Sequence, residues 1–497
     1  MTVTATNPTG FKPTDKLLFG IVLAVVTFWL FAMTTLNIMP TMQKDLGIDV
    51  GVGNLAVSIT SLFSGIFIVV AGGLADRFGR VRLTYAGLIL GLVGSALIAL
   101  TPGHVTGLTE SMLMAGRILQ GLSAACIMPS TMAIVKAYYD GAGRQRALSF
   151  WSIGSWGGSG AASLFGGFMA GSLLGWRSIF WMSVIVALIS MWMIKGTPES
   201  KVERTGPAPK FDWAGLIPFI IALLALNIFI SQGAAIGWVS PVGLALIVVA
   251  IVAGWIFLKA ESGKTDGFVD LSIFKNMTFT GATLSNFLLN GAAGALLVAL
   301  SLVQQAAGFT VTQAGLLTVG YLVAILATIR VGEKLLQRFG PKKPMIWGCL
   351  ITGIGIVLTS MTWVMVDAYV VLAVVGFTLF GIGLGFYATP STDAALANVP
   401  ADKAGSASGV YKMASSLGSA IGVAISAAIY TGLSAIDSAQ VPLSEIMVGR
   451  QDNISERFAG LMGLGFNVLL VVLAIIAIMI TVPNTPKKET QITAKVK

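Results

Sequence analysis

Gly72-Gly73-Leu74-Ala75-Asp76-Arg77-Phe78-Gly79-Arg80-Val81-Arg82 separates two long apolar runs. Its chemistry is that of a clasp. The glycines allow a tight turn and close helix contact. Asp76 is suited to cap a helix start or to pair with a cation of a neighbouring helix. A looser copy, Lys334-Leu335-Leu336-Gln337-Arg338-Phe339-Gly340-Pro341-Lys342-Lys343, lies in the second half of the chain. Aligning Arg77-Phe78-Gly79 with Arg338-Phe339-Gly340 sets Gln337 opposite Asp76. A polar clasp at the same place in two halves predicts a repeat-built membrane transporter with a gate in each half.

The runs around these clasps agree. Of 497 residues, 55% are hydrophobic and 10% charged, where a soluble domain carries about 25% charged residues. That shortage argues against a soluble enzyme, a nucleic-acid binder and a disordered scaffold. The 59 glycines suit membrane helices, which approach closely through small residues. About 20 apolar residues cross a bilayer, and fourteen stretches qualify: 17–39, 54–75, 84–101, 111–135, 149–172, 176–195, 213–232, 239–258, 279–300, 313–331, 344–364, 368–389, 405–431 and 459–482. With the N-terminus inside, 24 of the 31 Lys and Arg fall on inner segments, 4 on outer segments and 3 (Arg117, Arg330 and Lys412) within spans. Missing one span would reverse every later segment and dilute this positive-inside bias. Both termini are therefore expected in the cytoplasm. The net charge of +10 becomes an orientation signal and no longer suggests nucleic acid.

Polar linkers at 196–212 and 259–278 give a six, two, six layout. The expected units are 1–195, an inserted pair within 196–278, and 279–497 with a long outer loop at 432–458 that holds a hairpin or a short helix. Cys126 and Cys349 lie in apolar runs and imply no disulfide framework. The single His104 makes a histidine metal site improbable. The first apolar run is long enough to span and lacks a small-residue cleavage site, so no cleaved signal peptide is expected. No Walker A sequence is present, and the glycine-rich fifth span reads as a bending and contact helix, not a phosphate loop.

The Gly73–Arg82 run resembles the loop signature of the major facilitator superfamily, and Arg117-Ile118-Leu119-Gln120-Gly121 is similar to its second signature. Fourteen spans point to the drug:proton antiporter branch, with two helices inserted between two six-helix bundles. Val57–Gly65, Ile118–Pro129, Trp151–Gly160 and Tyr387–Asp393 resemble the staphylococcal quinolone exporters. This resemblance implies an all-α membrane protein, not an enzyme, in the bacterial cell membrane. It implies export of fluoroquinolones and other amphipathic drugs by alternating access, driven by the proton gradient without a cofactor, by an expected monomer. The chain departs from the branch in three places. Phe31 stands where span 1 usually carries Asp. Ala162-Ser163-Leu164-Phe165-Gly166-Gly167 lacks the usual proline. Gly409–Gly418 has no acid and one lysine. These departures keep open a second task for the same fold, export of an endogenous metabolite or lipid.

Gly73, Asp76, Arg77, Gly79 and Arg80 are the candidate cytoplasmic gate. A cation inside a span is costly unless paired or hydrated, so Arg117 either serves a substrate- or proton-responsive cavity or forms a hydrogen-bond hub with carbonyls and Gln120. Lys412 either snorkels to the interface or meets the carboxylate of a zwitterionic drug in the cavity. Asp393 and Glu333 are proton-coupling candidates, as is Arg117, with structural ion pairs as the alternative. Asn37, Asn286 and Asn290 either contact substrate or join helices. Trp29, Phe31, Tyr387 and Tyr411 are candidate walls of a drug pocket, or face lipid.

Overall fold

A bilayer leaves no water for backbone amides, so each spanning segment must satisfy its own. The computed structural model describes residues 11–48, 50–105, 107–200, 212–262, 264, 271–309, 311–442, 444–448 and 452–484, and these contain helices and no strand. Among them, thirteen helices are long and apolar enough to cross a membrane. The predicted fifth span is not in that set. It is helical through Gly141–Ser152, a π-helical turn at Ile153–Gly157, and Gly158–Ala170, and its glycines and serines make it less apolar. The 1–10, 201–211 and 485–497 parts of the termini and first linker lie outside the described residues.

Span 2, Val50–Phe78, packs against span 4, Leu108–Tyr138, and span 13, Ala404–Ser434. Span 10, ending in Val319–Phe339, packs against span 12, Val366–Ala397, and the start of span 5. The first and last six helices therefore meet along two seams, spans 2 and 13 on one side, spans 5 and 10 on the other. The inserted helices Trp213–Ile236 and Pro241–Glu261 pack on each other, and the first of them touches spans 2 and 13.

The internal repeat extends beyond the clasps. Gly79 and Gly340 both have positive φ, +117° and +73°, which side chains rarely adopt. Pro129-Ser130-Thr131 and Pro390-Ser391-Thr392 stand at the same spacing from each other as those glycines, each proline inside an unbroken helix. Thr131 Oγ1 donates to the Ile127 carbonyl (2.6 Å) and Thr392 Oγ1 to the Ala388 carbonyl (2.9 Å), the same bond in both halves. The sequence reading did not use this second pair.

The loop at 432–458 holds short 3-10 helices, Ser438–Gln440 and Ser444–Ile446, among its described residues. Val441, Met447, Ile454 and Phe458 form a small apolar knot against Trp363. At the same end, Asp45 pairs with Arg177 and accepts from the Trp176 indole N–H. The Arg177 guanidinium holds the Asp45 carboxyl below its ordinary value.

Close backbone approach is explicit between spans 13 and 9. A Cβ added at Gly422 would lie 2.1 Å from the Gly291 carbonyl oxygen, whereas one at Gly432 meets nothing within 4 Å. Gly422→Ala should therefore lower stability by about 1–3 kcal/mol through overpacking, and Gly432→Ala should not. Thermal unfolding in detergent checks this, and equal melting of the two variants would contradict the packing described.

Candidate functional site

A cavity of about 960 Å³ lies between the two sets of six helices. Its walls come from spans 1, 2, 5, 9, 10, 12 and 13, with Ile230 and Trp238 of the inserted pair. Two local features shape it. Span 1 makes a π-helical turn at Thr27–Ala32 and span 5 makes one at Ile153–Gly157. Such turns widen a helix locally and recur at functional sites. They deliver Phe28 and Trp29, and Ser155 and Trp156, to the cavity wall. Neither turn was legible in the sequence.

The candidate residues divide. Trp29, Asn290 and Lys412 line the cavity. The Trp29 indole N–H is buried with no hydrogen-bond partner in the structure. Asn290 donates its amide N–H groups to the Asn286 carbonyl and side-chain oxygens, at 2.7 and 2.9 Å. Lys412 is 5% exposed, with Nζ 4.2 Å from the centroid of the Trp151 ring.

Phe31, Asn37, Arg117, Gln120, Asn286, Tyr387 and Tyr411 are not among the described residues that line this cavity. Phe31 packs edge-on against Phe165. Asn37 is exposed on Met33–Leu46. Tyr387 shares a hydrogen bond with Ser285 (2.8 Å) and Tyr411 with Ser391 (2.9 Å). Asn286 donates to the Tyr411 carbonyl (3.0 Å) and to Ser415 Oγ (2.5 Å), joining spans 9 and 13. Each of these polar atoms satisfies a helix neighbour instead of facing the void.

Arg117 forms a hub. Its guanidinium donates to the carbonyls of Ala56 (2.8 Å) and Ala32 (2.9 Å), to Thr35 Oγ1 (3.0 Å) and to Gln120 Oε1 (2.7 Å). Gln120 in turn donates to Ser95. Spans 1, 2, 3 and 4 meet there, and the cation is spread over oxygen dipoles without a carboxylate.

The end of the bundle that carries Arg77, Arg80 and Arg82 is closed. Asp76 Oδ1 accepts from Arg80 (2.9 Å) and from the Gly405 N–H (3.0 Å), and Oδ2 accepts from the Ser406 N–H (3.0 Å). These two amides belong to the first turn of span 13, where helical N–H groups have no internal acceptor and favour a negative charge. Arg80 also donates to the Ala401 carbonyl (2.6 Å). The close approach is made by Gly72, where a Cβ would clash with the Gly405 carbonyl. Gly79 turns the chain beneath the carboxylate of Glu199, which accepts from the Val81 and Arg82 N–H groups, both 2.9 Å. Across the other seam, Lys136 donates to the Leu396 and Val399 carbonyls, and Arg144 pairs with buried Asp393 at 3.2 Å. Glu333 is held on its own helix by Arg330 and by Gln337 (3.2 Å).

The gate residues expected from the sequence did not include Gly72, Glu199, Lys136 or the backbone of Gly405 and Ser406. Amide partners carry no side-chain signal. The hub itself is testable: Arg117→Met leaves buried acceptors unpaired and should cost about 3 kcal/mol or more. Arg117→Lys should rescue only part, because an ammonium lacks the guanidinium fork. Melting of the purified variants reads this, and a stable Arg117→Met protein would remove the hub role.

The sequence profile of the Major Facilitator Superfamily matches residues 18–282 and 282–496. The chain is 51% identical over 420 residues to the quinolone resistance protein NorB of Staphylococcus aureus (strain MRSA252), covering 84% of this chain and 89% of that protein. It matches NorB of strain JH9 equally, 51% over 421 residues, 85% and 89% covered. Among solved structures, the proton:xylose symporter XylE has a TM-score of 0.64 at 16% identity, covering 95% of this chain and 96% of that one. The human organic anion transporter MFSD10 has a TM-score of 0.62 at 14% identity, covering 94% and 100%. At these identities the solved structures share the fold alone.

Proposed function

The chain belongs to the major facilitator superfamily, and from that premise we propose that it exports fluoroquinolones and other amphipathic drugs by alternating access, driven by the proton gradient. The observation that carries the reading is the cavity of about 960 Å³, near the upper end of the ~300–1,000 Å³ of small-molecule sites, closed at its basic end by hydrogen bonds between the two halves. NorB, at 51% identity, is by its name a quinolone resistance protein.

The positive-inside bias supports a bacterial cell membrane with both termini in the cytoplasm. The closed end is then cytoplasmic, and the conformation is the one that releases drug outward. Residues 1–195 and 279–497 act as the two rocking bundles, with 196–278 carrying the inserted pair beside the seam of spans 2 and 13. One chain suffices, because both bundles and the cavity lie within it.

Asp393 is the favoured proton site. It is buried, it sits on the opposite half from its partner Arg144, and its pair lies at the closed end. Protonation removes the carboxylate charge and leaves Arg144 without its counter-ion, loosening the seam that must open for drug to enter from the cytoplasm. Glu333 is the weaker candidate, since its ion pair with Arg330 lies within one helix, and only the Arg330 guanidinium, over the Phe150 ring at 4.9 Å, reaches the other half.

In proteoliposomes with an imposed pH gradient, the parent protein should concentrate a fluoroquinolone, and an uncoupler should abolish this while ATP should have no effect. Asp393→Asn should lose gradient-driven accumulation and keep downhill flux. Accumulation that survives in Asp393→Asn with unchanged pH dependence would move the proton site elsewhere.

A further inference from the structure

Among the described residues lining the cavity there is one charged side chain, Lys412, and no carboxylate. Its ammonium donates no described hydrogen bond and enters no described ion pair. What it has is aromatic: the Trp151 ring at 4.2 Å and the Tyr411 ring at 5.9 Å from Nζ to centroid. Trp151 is fully buried and fixed in place by its indole N–H, which donates to Thr131 Oγ1 at 3.0 Å. Ring faces attract cations, yet they do not neutralise one. A lone cation at this depth is costly without a counter-ion, and here the open side of the cation is the cavity itself.

The surroundings describe what would complete it. Ser415, Ser416 and Ser419 follow Lys412 on span 13 at helical spacing and line the same wall. Facing walls carry Phe28, Trp29, Trp156 and Phe380. A flat apolar body ending in a carboxylate fits this arrangement: rings against rings, the anion at Lys412.

We propose that Lys412 makes the cavity selective for substrates that bear a carboxylate, whether amphipathic acids or zwitterions, and that cationic amphiphiles without a carboxylate bind poorly. The proposal rests on the export reading only in taking the cavity as the substrate site. A carboxylate supplied by the ligand offsets the desolvation of Lys412. A ligand that brings only a positive charge adds repulsion to that cost.

The probes are a zwitterionic fluoroquinolone and its methyl ester, which keeps the ring system and the amine and loses the carboxylate. Binding is measured by calorimetry on the purified full chain, so it does not depend on transport. The parent should bind the acid at least about tenfold more tightly than the ester. Lys412→Met should weaken the acid by about tenfold and change the ester by less than twofold. Lys412→Arg, which keeps the charge, should retain the preference. Equal binding of acid and ester by the parent would overturn the proposal, as would equal loss of both ligands in Lys412→Met. The export arm separates the two ideas. If the parent concentrates neither compound under a pH gradient, the export reading falls while the binding ratios still decide the role of Lys412. If it exports acid and ester equally well, with equal affinity, export stands and the selectivity does not.

Discussion

One carboxylate holds the seam of spans 2 and 13 shut at the basic end of the bundle. Asp76 takes Arg80 from its own clasp and two amides from the first turn of span 13. A buried charge at this depth is tolerable only when its lone pairs are filled, and here the other half of the molecule fills them. Several residues follow from that requirement. Gly72 and Gly405 must lack side chains for the backbones to approach, and Gly79 must turn with positive φ. Glu199 must occupy the start of span 3, because that helix begins with free amides at Val81 and Arg82.

The two clasps share a backbone and differ in chemistry. Gly79 and Gly340 both turn the chain with positive φ, but Gln337 replaces the acid, and it donates to Glu333 on its own helix instead of reaching across. The second seam is held by other means: Lys136 on carbonyls and Arg144 on Asp393. One seam therefore rests on a carboxylate filled by amides and a guanidinium together. The other combines Lys136 on carbonyls with an ion pair whose loss of charge leaves the Arg144 guanidinium without its counter-ion. That difference is why the proton-responsive step is proposed for the Asp393 side.

The spans and the clasp were legible because bilayer thickness and charge sidedness act on the whole chain. The fifth span was legible as a helix from its position, although its glycines and serines hide it by hydropathy. The cavity wall was not legible. A helix buried on several faces has no polar stripe to orient it, so Phe31, Tyr387 and Tyr411 looked as suitable as Trp29. The π-helical turns add to this, since they rotate the residues after them by an amount the sequence pattern does not announce. The amides show the same limit within one helix: Asn286 bridges to span 13, and Asn290, one turn later, reaches the void.

Two of the three cations inside the spans, Arg117 and Lys412, make the point most sharply. By cost alone Arg117 and Lys412 are equivalent, and each admitted a structural and a functional reading. What separates them is the supply of acceptors. Arg117 sits where four helices meet and finds two carbonyls, a hydroxyl and an amide oxygen, so its Nε and Nη1 groups are engaged in holding the bundle together. Lys412 finds ring faces on one side and space on the other. A cation held by several oxygens of the protein has little to offer a ligand, while one left short of acceptors beside a cavity has its remaining valence directed into it. The depth of a charge in the membrane says that it must be satisfied, and the local count of oxygens says whether the protein or the ligand does so.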